Sequence, residues 1–177
     1  ADGNQTANIC IHVGEDVLLD SSGGNAQRTY TQIGNGGYSS GGNHSGFITV
    51  VSGLSGANGG IKLQGGIAGA NDQYAMIGHG GTGSSGNHTG DITLIDTGGG
   101  GLTLQGGATG VSYALVGHGD GASSSSGTRA GNIYVDVDGQ ISVVNGGPST
   151  SIGWIGHQST NANEGITLGT ANTTLFG

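Results

Sequence analysis

Tyr74-Ala-Met-Ile-Gly-His-Gly-Gly81 decides the reading of this chain, because it returns. Tyr30-Thr-Gln-Ile-Gly-Asn-Gly-Gly37 precedes it, and Tyr113-Ala-Leu-Val-Gly-His-Gly-Asp120 and Ile152-Gly-Trp-Ile-Gly-His-Gln158 follow. The step is 44 residues from Ile33 to Ile77, 39 from Ile77 to Val116 and 39 from Val116 to Ile155. A period of about 40 residues over most of a chain marks a stack of like units, each burying its apolar face against its neighbours.

Two more apolar runs recur in each period. The second is Gly46-Phe-Ile-Thr-Val50, Gly90-Asp-Ile-Thr-Leu94, Gly131-Asn-Ile-Tyr-Val135 and, with one deletion, Gly165-Ile-Thr-Leu168. The third is Ile61-Lys-Leu-Gln-Gly-Gly66, Leu102-Thr-Leu-Gln-Gly-Gly107 and Ile141-Ser-Val-Val-Asn-Gly-Gly147. Three strands of four to six residues joined by glycine corners describe one turn of a β-solenoid. The alternative of two turns of about 20 residues per period would need about six apolar runs, and only three are visible.

Period-2 alternation turns Ile92, Leu94, Leu102 and Leu104 inward and Thr93 and Thr103 outward. In the first run it places Thr31, Ala75, Ala114 and Gly153 inside with Ile33, Ile77, Val116 and Ile155. Tyr30, Tyr74, Tyr113, Gln32, Met76, Leu115 and Trp154 are left on the outer face. Cys10 to Val13 falls in the frame of the second run and Val17-Leu-Leu-Asp20 in that of the third, Val17 lying 44 residues before Ile61. The expected organisation is a single domain, 1–177: a partial repeat 1–29, repeats 30–73, 74–112 and 113–151, and a terminal partial repeat 152–177. This makes about four rungs of three strands. The connections Tyr38 to Ser45, Thr82 to Thr89, Asp120 to Ala130 and Gln158 to Glu164 read as Ser/Gly/Asn loops on one corner, where a solenoid accepts insertions.

Glycine supplies 43 of 177 residues, proline one and charged residues 8%. Scarce charge and regularly placed Ile, Val, Leu and Tyr argue against disorder, and the glycines do not fall at every third position as collagen requires. The formal charge is −8, with Arg28, Lys62 and Arg129 the only Lys or Arg residues. Three scattered cations give no footprint for nucleic acid. No apolar run approaches the roughly 18 residues of a spanning helix, so no membrane insertion is expected. The first residues do not read as a signal peptide, and the chain is expected to be processed or a fragment. Cys10, the only cysteine, sits in the strand-like Asn8-Ile-Cys-Ile-His-Val13 and is expected to be buried.

The phrases Tyr-Ala-Met-Ile-Gly-His-Gly-Gly, Gly-Asp-Ile-Thr-Leu and Gly-Leu-Thr-Leu-Gln-Gly-Gly together resemble the passenger repeats of filamentous-haemagglutinin-like bacterial adhesins. The resemblance covers nearly the whole chain. It implies a right-handed parallel β-helix, export to the cell surface and an adhesive or structural role. The N-terminal secretion domain of that family is not evident here.

Candidate chemistry is sparse. His79, His118 and His157 share one repeat position and would stack about 4.8 Å apart, an arrangement suited to a transition metal or to pH sensing. Asn35 holds the same position in the first copy without being an equivalent ligand, which favours a corner where a side chain hydrogen-bonds backbone. His44 and His88 recur only once. The acids do not form a column: Asp91 becomes Phe47 and Asn132, so neither a calcium ladder nor a carboxylate-based enzyme is expected, and no cofactor is implied. Thr49, Thr93 and Thr167 recur without the second threonine column of an ice-binding face. Asn4, Asn43, Asn87 and Asn172 begin Asn-x-Ser/Thr triplets.

Two functions are compatible with this reading. The first is a non-enzymatic structural protein, a subunit or segment of an extracellular fibre or adhesin stalk. It would pair with copies of itself or with further repeats through Cys10, Ile11 and Val13 at one end and Leu175 and Phe176 at the other. The second is a module recognising glycan or a host surface through Tyr30, Tyr74, Met76, Tyr113, Leu115 and Trp154 and the Asn/Ser loops. The same outer residues would equally be covered if the adjoining loop folded over them.

Overall fold

In the second run the alternation is realised as read. Ile48–Ser52 and Ile92–Asp96 bury every other side chain, and Ile48, Val50, Ile92 and Leu94 are wholly inaccessible. The computed structural model describes residues 3–23, 26–56, 58–66, 72–108, 110–119, 126–147, 151–158, 162–168 and 174–176, the last two segments by backbone alone. It is all-β. The described residues contain no helix, and their strands run parallel in three curled sheets, an arrangement compatible with a β-solenoid.

Each repeat lays one strand on each sheet, and the set forms a layer. One sheet holds Tyr30–Ile33, Tyr74–Ile77, Ala114–Val116 and Gly153–Ile155. Another holds Ile9–His12, Ile48–Ser52, Ile92–Asp96, Arg129–Val137 and Ala162–Leu168. The last holds Val17–Asp20, Gly60–Gln64, Gly101–Gln105, Gln140–Val144 and Thr174–Phe176. Every strand pairs with its counterpart one repeat away: Val17 opposes Ile61, Ile61 opposes Leu102, Leu102 opposes Ile141 and Ile141 opposes Leu175. Between the sheets lies one apolar core containing Leu19, Ile48, Leu63, Ile77, Leu94, Leu104, Val116 and Ile133. Fully burying a side chain of this size contributes about 1.5–3 kcal/mol, so repetition of the motif builds the stability.

Four expectations are corrected. Cys10 is exposed, because the phase that turns Ile9 and Ile11 onto the core turns Cys10 and His12 away. The last second-run strand needs no deletion: Gly165 opposes Asn132 and Glu164 opposes Gly131. The step from Ile133 to Ile166 is 33 residues against 41 from Ile92 to Ile133, so the shortening lies in the connection. The Ser/Gly/Asn connections end in strand, Gln5–Thr6, His44–Ser45 and His88–Thr89 pairing in series and reaching Arg129 and Ala130.

The fourth correction concerns the first-run sheet. Tyr74, Met76, Tyr113 and Leu115 are wholly buried in a second cluster, with Val111 and Ile152 packed on it. Tyr74-Ala-Met-Ile is apolar on both faces, as a parallel strand covered on both faces must be. Over the two tyrosine hydroxyls the cover is the connection that follows Tyr74–Ile77. Gly81 lies so close to the Tyr74 hydroxyl that a Cβ there would be 2.4 Å from it, and the Thr82 and Tyr113 hydroxyls are 3.0 Å apart.

Candidate functional site

Identical residues at one repeat position become stacked columns, because adjacent parallel strands are 4.7–4.9 Å apart. Tyr30 and Tyr74 stack with ring centroids 4.8 Å apart and planes 6° from parallel, Tyr74 and Tyr113 at 4.9 Å and 3°. Only the ends of the outer row are accessible: Tyr30 is 41% exposed and Trp154 44%. Burial of the four residues between them removes the exposed aromatic stripe that a glycan-recognising surface was expected to use.

The second column is His79, His118 and His157, whose rings stack at 4.9 and 4.6 Å. In each layer the ring Nδ1 accepts the backbone N–H of the preceding layer: Asn35 N–H to His79, His79 N–H to His118 and His118 N–H to His157, each 3.0 Å. Each Nε2 faces a glycine carbonyl: Gly46 at 2.9 Å, Gly90 at 2.8 Å and Gly131 at 3.3 Å. An acceptor Nδ1 and a donor Nε2–H define one neutral tautomer. With both nitrogens engaged, these rings present no lone pair to a metal, and among the described residues no cluster of three or more metal-ligating side chains occurs. Asn35 does half of this work, its Nδ2 donating to the Ser45 carbonyl at 3.1 Å.

The third column passes through Gln5, His44, His88 and Arg129. His44 and His88 are buried, with ring centroids 4.8 Å apart, and the Arg129 side chain is wholly buried. Arg129 Nη1 donates to the carbonyls of Gly86 at 2.5 Å, Thr128 at 3.3 Å and Ser126 at 3.5 Å. Sequence reading did not connect this arginine with the histidines. The signal was present: His44, His88 and Arg129 each stand two residues before a second-run glycine, at 46, 90 and 131.

Burial holds these imidazoles neutral. Desolvation lowers the His88 pKa to about 3, with Arg129 and His44 adding to the effect. It also lowers His44, helped by Arg129, and His79, where the Gly46 carbonyl opposes it. His118 is held well below the ordinary histidine value by burial and then by His157.

The remaining polar candidates serve the stack. Asn4, Asn43 and Asn87 share a column in which each Oδ1 accepts the N–H one layer on, from Asn43, Asn87 and Thr128 at 2.9, 2.9 and 3.0 Å. The Asn-x-Ser/Thr spacing sets that ladder beside a hydroxyl position, where the Thr6 and Ser45 hydroxyls are 2.9 Å apart. Asp16 and Asp96 accept the N–H groups of Gly60 and Gly101 at 2.8 and 2.7 Å. Asn172 lies outside the described residues.

At one end of the stack Cys10 is exposed, while Ile11 and Val13 are half-buried against the core. At the other, the backbone of Leu175 and Phe176 pairs with Ile141 and Ser142; their side chains lie outside the described residues. Among the described residues no helix is long and apolar enough to cross a membrane. No protein-family model matches the chain, nor does any curated protein or solved structure.

Proposed function

We propose that this chain is a structural segment of an extracellular bacterial fibre or adhesin stalk. In this reading it is a right-handed parallel β-helix with one coil per repeat of about 40 residues, acting as a non-enzymatic spacer whose partner is another coil of the same kind. The supporting observation is the direction of its polar groups. The ladders of Asn4, Asn43 and Asn87 and of His79, His118 and His157 bond to the next layer, so the side chains that would carry chemistry elsewhere hold layers together here.

Ile9–His12, Val17–Asp20 and Tyr30–Ile33 are each the outermost described strand of their sheet. Ile9 and Val13 direct their N–H groups at Phe47 and Val51, so by alternation Cys10 and His12 direct theirs away from the stack. A strand edge of this kind pairs with a further strand, either of additional repeats of the same chain or of another copy, and head-to-tail joining of copies yields a filament that does not close.

Electron microscopy and sedimentation of the purified 177-residue protein test this reading. Unbranched fibres are expected at high concentration, and His12→Pro, which deletes an outward N–H from an edge strand, is expected to leave folded monomers. Monodisperse wild-type monomers at high concentration would overturn self-assembly.

A further inference from the structure

Five of the six histidines lie in one corner, and four of them, His44, His79, His88 and His118, hold or line a lid. The segment from Gly78 to Gly90 carries His79 near its start and His88 near its end, and between them Gly81, Thr82 and Ser84 are buried. Gly81 and Thr82 cover the Tyr74 and Tyr113 hydroxyls. At its start the lid is held by His79, which accepts from Asn35 N–H and donates to the Gly46 carbonyl, while its own N–H donates to His118. Near its end the His88 ring lies beneath the lid backbone, so close that a Cβ on Gly80 would be 2.4 Å from Nδ1.

The pins share one chemical weakness. A proton added to His79 or His118 goes to Nδ1, the atom that accepts a backbone N–H, and turns an acceptor into a second donor facing it. A proton on His44 or His88 places a cation in a water-excluded column that already contains Arg129. The titratable and charged groups influencing His44, His79, His88 and His118 are one another, His157 and Arg129. The Tyr74 and Tyr113 hydroxyls lie under the lid itself. Asp91, beside Gly90, is exposed and accepts from the Asn132 backbone and side chain at 2.8 and 3.2 Å. Glu164 stands on the neighbouring strand opposite Gly131.

We infer that residues 78–90 form an acid-released lid, and that its opening uncovers the buried Tyr74 and Tyr113 side chains while the main core stays paired. The sign follows from the depressed imidazole values. An opened lid returns its histidines to the ordinary pKa of about 6.5, so the open form binds more protons below that pH. Closure is fully favoured above about 6.5 and is lost progressively as pH falls toward the closed-state values, which reach down to about 3 at His88. The Ile, Leu and Val side chains of the main core contain no titrating group.

The chain carries its own non-titrating substitutes: Gln5 heads the His44 and His88 column and Asn35 the His79 and His118 column. Hydrogen exchange by mass spectrometry at pH 7 and pH 5, corrected for intrinsic rates, tests the lid in the 177-residue protein. Protection across 79–89 is expected to fall at least about tenfold, since releasing even one histidine to its free pKa gives a factor of that order. Ile92–Asp96 and Gly101–Gln105 are expected to keep their protection, and a hydrophobic dye is expected to bind at pH 5 only. The combined variant His44→Gln, His79→Asn, His88→Gln, His118→Asn is expected to stay closed at pH 5. Unchanged lid protection at pH 5, simultaneous loss in the lid and both strands, or equal opening of a folded variant would each overturn the inference. If the variant does not fold, the wild-type contrast between lid and strands decides alone.

Discussion

Gly78→Ala is expected to abolish folding. Gly34, Gly78 and Gly117 occupy the corner that closes each first run, at φ 157°, 154° and 155°, a region that L side chains rarely adopt. The larger obstacle is the neighbouring layer. A Cβ on Gly78 would lie 1.8 Å from the Gly117 carbonyl oxygen and 2.6 Å from its carbon, and neither can move without breaking the register of Tyr74–Ile77 with Ala114–Val116. Domains of this kind are stable by only about 5–15 kcal/mol, and a backbone clash in the middle of the stack belongs with the rare losses above about 4–5 kcal/mol. Far-UV circular dichroism of soluble Gly78→Ala is expected to show no native β signal. Gly83→Ala is the control: its φ is also positive, at 72°, but the nearest atom is the flexible Ser39 Oγ at 3.1 Å, and a loss of about 1 kcal/mol is expected.

Arg129→Ala is expected to cost about 2–4 kcal/mol, because buried carbonyls lose hydrogen bonds to a charged donor. The Gly86, Ser126 and Thr128 carbonyls lose a donor, and the vacated volume adds a cavity penalty. Arg129→His restores the side chain of His44 and His88 at the same register position, and at pH 7.5 it is expected to recover at least about half of that loss. Chemical denaturation of the two variants beside wild type measures both. Equal stability of Arg129→Ala and wild type would mean that this column does not hold its layers together.

These expectations rest on features that differ in how they show in a sequence. Strand register was legible because all three runs recur once in each period: the step of 44 from Val17 to Ile61 is the pairing the fold adopts. The inward set was legible from alternation alone. The burial of Tyr74 and Met76 was not, because a strand apolar on both faces looks the same whether its outer face meets water or a lid. Glycine and serine at 81–84 give no hydrophobic signal of covering anything. Cys10 shows the opposite error, since its phase pointed outward while the apolar content of its neighbours suggested burial. The exchange of His for Asn35 did disclose a hydrogen-bonding corner, whereas the guanidinium of Arg129 was hidden by unequal connection lengths.

The layer register underlies the stalk reading, the lid and both substitutions, and one engineered thiol tests it. Cys10 is exposed on Ile9–His12 and opposes Thr49 in the parallel pairing with Ile48–Ser52. Adjacent strands place such Cα atoms about 4.8 Å apart, within the span a disulfide bridges. Oxidised Thr49→Cys is expected to form an intramolecular disulfide between Cys10 and the introduced thiol, seen by peptide mapping and loss of both thiols to alkylation. Thr93→Cys, two layers from Cys10, is expected to keep its thiols free. Free thiols in Thr49→Cys, or equal cross-linking in Thr93→Cys, would contradict a stack with one layer per repeat.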